Sequence, residues 1–165
     1  MHQMTKLNRL QALAACTLIN KDIPILPFSI PTHLFEDLRT LNTIKLLREE
    51  EKFLQQKHIV LQINLYNTIE KENEYKTLYE DASVWDQDLL LELFCKYDDY
   101  KKLEKRINML IVETENRLSE RDMEEELYLS RLSVEYNDIQ FTIVNKDYDI
   151  SKDLWGMRGK TEVSG

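Results

Sequence analysis

Residues 46–65 read LLREEEKFLQQKHIVLQINL. Leu47, Leu54 and Leu61 return at every seventh position, and Leu65 follows one turn later. A repeat near 3.5 residues marks an α-helix that lays one apolar seam along another helix. The same line carries Glu51, His58 and, further on, Glu72. An unpaired acid on a buried seam is costly, so the facing helix is expected to be offset there or to supply cations.

Working outward, the pattern meets nothing that would stop a helix. All three prolines lie between Pro24 and Pro31, and all three glycines between Gly156 and Gly165. The stretch from Thr32 to Trp155 holds neither residue. Both cost helix stability, and a globular enzyme rarely goes so long without one. Upstream, Leu34, Leu38 and Leu41 keep the four-three beat; downstream, Tyr75, Tyr79 and Ala82 extend it.

The beat weakens across residues 80–88. Ser83 and Asp86 have the spacing of an N-cap with an acidic third residue, which allows a bend or a hairpin turn. With no glycine for a tight reversal, a continuous helix is the favoured expectation. A further helix is expected from Asp86, with Leu93, Tyr97, Tyr100, Ile107, Ile111 and Leu118 on its seam and Leu103 and Leu110 beside it. An acidic run, Glu120 to Glu126, interrupts before Leu129, Leu132, Tyr136, Ile139 and Ile143 resume. Leu118 to Leu129 is a hendecad step, so the seam can rephase without a break. Ile139, Phe141 and Ile143 also alternate like a strand, and Asn145-Lys146-Asp147 offers a turn toward Tyr148 and Ile150. A helix ending near Asn145 is preferred, because a lone hairpin is marginal.

The N-terminal region differs. Residues 1–21 are basic and apolar at Leu7, Leu10, Leu13, Ala14 and Leu18, as in a short amphipathic helix; a mitochondrial presequence is the alternative. Residues 22–32 are expected to be extended, since each proline fixes its own φ and displaces its predecessor from the α region. Ile25, Leu26 and Phe28 make this an apolar segment suited to a groove. The expected organisation is thus a helix over 1–21, a docking segment over 22–32, a helical coiled-coil region over 33–145 and a tail over 146–165. The fold class is all-α and elongated.

The 165 residues carry a net charge of −8, with 32% charged and 42% hydrophobic residues. Glu49-Glu50-Glu51 and Glu124-Glu125-Glu126 are the densest acidic runs and read as solvated faces. Such a rod repels phosphate backbones, so no direct nucleic-acid binding is expected through it. Two cysteines, Cys16 and Cys95, form no disulfide framework, which suits an intracellular compartment. No apolar run approaches the ~20 residues of a membrane span.

No catalytic constellation is present. His33 and Asp37 are spaced to share a metal on a helix, but the helix-start reading is far commoner. Gly156-Met157-Arg158-Gly159-Lys160 lacks the strand and helix that a phosphate loop needs. No enzyme activity, cofactor or metal is expected.

The functional expectation is a non-enzymatic scaffold subunit of an intracellular heteromeric complex, binding other helical or coiled-coil subunits. Its contact residues are read as Ile25, Leu26, Phe28, Leu47, Leu54, Leu61, Leu65, Leu93, Tyr100, Ile107, Ile111, Leu118, Leu132, Ile139 and Trp155. A heteromeric partner is expected because a self-pairing seam would set Glu51 against its own copy. Nuclear assemblies (kinetochore, mRNA-processing or transcription-regulatory complexes) use such subunits, an analogy of architecture only. The competing readings are a compact helical adaptor that binds one partner transiently, and a mitochondrial assembly factor.

Overall fold

The computed structural model describes Ala14 and residues 17–21, 32–133 and 140–154. Of these, 84% are helical, and no strand occurs among them. The protein is all-α, as the missing helix breakers require. Helix α1 runs Thr32–Asp81, 50 residues, and helix α2 runs Gln87–Ser130, 44 residues. Two compact units divide the chain. The first takes Met1–Phe53 and Leu118–Lys146; the second takes Leu54–Arg117 and Asp147–Gly165.

In the first unit, Leu38, Leu41, Ile44 and Leu47 of α1 are buried, together with Ile19 from the short helical stretch at 17–20. Lys45, itself buried, donates from Nζ to the Ile19 carbonyl at 3.3 Å. A cation there lies at the C-terminal, negative end of that stretch and gives one of its last carbonyls a donor. Asn20 clamps the chain that follows α2: its amide donates to the Gln140 carbonyl at 3.1 Å, and its Oδ1 accepts from the Thr142 N–H at 2.9 Å. Beyond the end of α2, the Ser133 N–H donates to buried Asp37 at 3.0 Å, and its hydroxyl bonds the other carboxylate oxygen.

The second unit is built around Leu61, Ile107 and Leu110, with Leu65, Leu103, Ile111, Tyr148, Ile150 and Leu154 packed against them. Here α1 and α2 run antiparallel. As α1 advances, its partners on α2 recede: His58 faces Glu115, Glu72 faces Lys101, Tyr75 stacks on Tyr100, and Tyr79 meets Phe94. The returning chain covers the groove between them. Asp149 opens its short helix, accepting from the Ser151 N–H at 3.0 Å, and its carboxyl is held below the ordinary range by its bonds to Ser151.

Three expectations are corrected. The helix does not continue through 82–86. Asp86 caps α2, with its Oδ1 accepting the Leu89 N–H at 3.1 Å, and Ser83 holds the link by accepting the Asp86 N–H on its carbonyl at 3.1 Å. The cap is therefore Asp86 and not Ser83, and the link forms without glycine. Secondly, α2 ends at Ser130, well short of Asn145. Thirdly, residues 140–149 are neither helix nor hairpin; side chains hold their backbone instead. The Pro-rich segment, most of the first helix, Ile139 and Trp155 lie outside the described residues.

Candidate functional site

The residues read as a seam form one, and the chain fills it with its own second helix. Leu47, Leu54, Leu61, Leu93 and Ile107 are buried; Leu65, Tyr100, Ile111, Leu118 and Leu132 are partly buried. Leu61, Leu65, Ile107 and Ile111 come together in the core of the second unit, and Leu47 lies in that of the first. Ile25, Leu26, Phe28, Ile139 and Trp155 fall outside the described residues.

Each polar residue on the seam also meets its counterpart from the same chain. Glu51 accepts from Arg121 at 3.1 Å, His58 Nε2 lies 3.0 Å from Glu115, and Glu72 accepts from Lys101 at 2.8 Å. Buried Thr68 and Thr114 return their hydroxyls to the carbonyls of Asn64 and Leu110, both at 2.7 Å. In the first unit, Arg121 is only 2% exposed. Besides Glu51 it reaches Glu125 at 3.4 Å, the Leu47 carbonyl at 3.2 Å, and Asp122; Arg48 adds a 3.0 Å bond to Glu125. Burial opposes the guanidinium charge, but the carboxylates around it outweigh burial and raise its pKa.

Glu72 and Glu104 form a carboxyl pair in the second unit. Burial opposes ionisation of Glu72, yet the contacts with Glu104 and Lys101 hold it below the ordinary range. Glu104 is pushed up, first by its hydrogen bond to Glu72 and then by burial. The buried Oε2 of Glu72 has no hydrogen-bond partner among the described residues.

With the seam filled, the surface left for other molecules is on the outside. Ile59, Ile63 and Tyr66 are 57%, 56% and 64% exposed. Their four-three spacing makes a second stripe, two residues out of phase with Leu61, Leu65 and Thr68 and so on the opposite face of α1. Glu70, one turn on, accepts from the Tyr66 hydroxyl and raises its pKa. Sequence reading followed only the stripe with the longer heptad run; the offset of Ile59 from Leu61 was the signal for the other.

Around the link, Val84 and Trp85 are 75% and 91% exposed. An open cleft of about 340 Å³ there is lined by Tyr79, Val84, Gln87, Leu90, Leu91 and Phe94. Cys95, next along α2, is a free, exposed thiol.

Among the described residues no group of three or more His, Cys, Asp or Glu could hold a metal ion. Asp37 of the weighed His33–Asp37 pair is bonded to Ser133. No helix of the described residues is long and apolar enough to cross a membrane. No protein-family model, curated protein or solved structure matches this chain.

Proposed function

We propose that this chain is a non-enzymatic structural subunit of an intracellular heteromeric complex, and that it holds partner helices on the outer face of α1. The observation that carries this reading is the stripe Ile59, Ile63 and Tyr66, more than half exposed at helical spacing. The fold does not need these residues, because the seam opposite already buries Leu54 and Leu61. A clustered apolar stripe in water favours a partner, and the i, i+4, i+7 spacing matches an added helix. This reading puts a partner-binding surface on the face of α1 opposite the seam. Placement in a nuclear assembly rests on architectural analogy alone.

A second reading has its own support. A seam satisfied within the chain suits a self-contained adaptor that binds one partner transiently. Affinity purification of the tagged chain separates the two: a stable set of subunits at fixed stoichiometry supports the scaffold, and a single partner lost on washing supports the adaptor. The stripe is tested by replacing Ile59, Ile63 and Tyr66 with Ser. Helicity by circular dichroism should be unchanged and co-purifying subunits lost; retention of the full set would overturn the proposal.

A further inference from the structure

We infer that the end of the second unit around the 82–86 link is a docking site for a basic amphipathic helix of a partner chain. This deepens the binding-subunit reading and rests on it, but uses a different surface.

The link has no need of its apolar residues. Asp86 caps α2, and Ser83 accepts both the Asp86 N–H on its carbonyl and, at 3.4 Å, the Trp85 N–H on its hydroxyl. Polar side chains at 84 and 85 would serve that turn equally well. Instead Val84 lines the cleft while three-quarters exposed, and Trp85, its neighbour in sequence, stands in solvent. Its wall is aromatic, with Tyr79 and Phe94 tilted at 55° and their centroids 6.3 Å apart. An exposed Trp beside an aromatic-lined cleft is the composition of an interface anchor. Gln87 and the Tyr79 hydroxyl are the polar side-chain groups of a lining otherwise made of Val84, Leu90, Leu91 and Phe94, too little to orient a polar metabolite. Apolar side chains of a helix, one turn apart, need no more than this.

Charge selects the occupant. Glu80, Asp81, Asp86, Asp88 and Glu92 are all exposed, and no Lys or Arg occurs between Thr77 and Cys95. Five exposed acids on the segments that carry the cleft, with the nearest cations in sequence at Lys76 and Lys96, disfavour nucleic acid, an anionic membrane and a second copy of this same acidic end. They favour a helix with Leu, Ile or Phe anchors flanked by Lys or Arg. The cations meet the acids while the anchors fill the cleft.

The test uses the full chain with Trp155→Phe, so that Trp85 is the sole tryptophan. Two capped 14-residue amphipathic peptides serve as probes, one of Leu and Lys and one of Leu and Glu. The Leu/Lys peptide should shift Trp85 emission to the blue. Val84→Ser with Leu91→Ser should weaken it at least tenfold, and Asp81→Asn, Asp88→Asn and Glu92→Gln together should weaken it several-fold. The inference is overturned if the Leu/Lys peptide fails to bind. It also falls if the Leu/Glu peptide binds as well, or if V84S/L91S binds undiminished. Self-association that V84S/L91S abolishes would make a second copy the occupant and overturn it too. The Ile59, Ile63 and Tyr66 triple variant should keep peptide binding. If that variant strips the co-purifying subunits while the peptide never binds, only the docking inference fails; the converse pattern removes the stripe proposal alone.

Discussion

In the first unit a buried arginine, Arg121, stands among Glu51, Asp122 and Glu125; in the second, Leu61 and Ile107 are fully buried among aliphatic neighbours. The arginine is tolerated because carboxylates reach it from both helices and because Glu51 keeps a third of its side chain in water. The aliphatic core needs no charge but needs a cover, which Tyr148, Ile150 and Leu154 provide. Burial and the hydrogen bond to Asp153, at 2.6 Å, push the Tyr148 hydroxyl well above its ordinary pKa. Lys57 stands over the same ring at 5.3 Å. A buried cation and a fully aliphatic cluster are thus each tolerated on the same pair of helices, provided each has what its chemistry lacks.

The contrast can be broken experimentally, and the largest effect should come from the apolar side. Leu61→Ala removes a fully buried side chain from a covered core and should cost about 4 kcal/mol in urea unfolding. A loss below about 1 kcal/mol would mean that this core collapses around the cavity. Arg121→Ala should cost about 3 kcal/mol. It leaves carboxylates without their cation, but these are partly exposed and can rehydrate. If Arg121→Met proved as stable as the parent, the Arg121 cluster would be a specificity device and not a source of stability.

A smaller effect is expected at Glu104. Its folded pKa is raised, so its contribution to stability is present below the unfolded carboxyl pKa and lost as pH rises through the folded value. Glu72 is shifted the other way, and its contribution is lost as pH falls through its depressed value. Glu104→Gln keeps a donor toward Glu72 at every pH. It should therefore raise the melting temperature at neutral pH and leave it unchanged in mild acid; an equal change at both would show that the pair does not share a proton. The smallest effect belongs to Ile63→Ser, under about 0.5 kcal/mol, because that side chain is already in water. A loss as large as that of Leu61→Ala would mean that the stripe is part of the fold.

Much of this was legible in the sequence. The sevenfold recurrence of Leu47, Leu54 and Leu61 located the seam, and Glu51 and Glu72 on its line called for either an offset or cations opposite, of which the structure has the cations. The source of those cations was not legible. Periodicity reports which face of a helix is covered and not whether the cover comes from the same chain, so nothing in it points to Arg121 and Lys101 as the cations. The break at 82–86 is hard to read because it has no glycine; a Ser–Asp pair of backbone-bonding side chains does the same work. The stretch after Tyr136 misled because its periodicity fits two structures. What holds residues 140 and 142 is Asn20, more than a hundred positions away, a pairing that no local pattern contains.

The order in which partners meet along the second unit also bears on how it is reached in time. Tyr79 and Phe94 are the nearest of the paired residues in sequence, then Tyr75 and Tyr100, then His58 and Glu115. Every pair that closes shortens the loop the next must close, so ordering can zip outward from the link at little entropic cost per step. Tyr148, Ile150 and Leu154 can dock only on a surface both helices have already made. Stopped-flow measurements should accordingly show Leu93→Ala slowing refolding and Leu154→Ala mainly hastening unfolding, and the reverse would place the start of closure elsewhere.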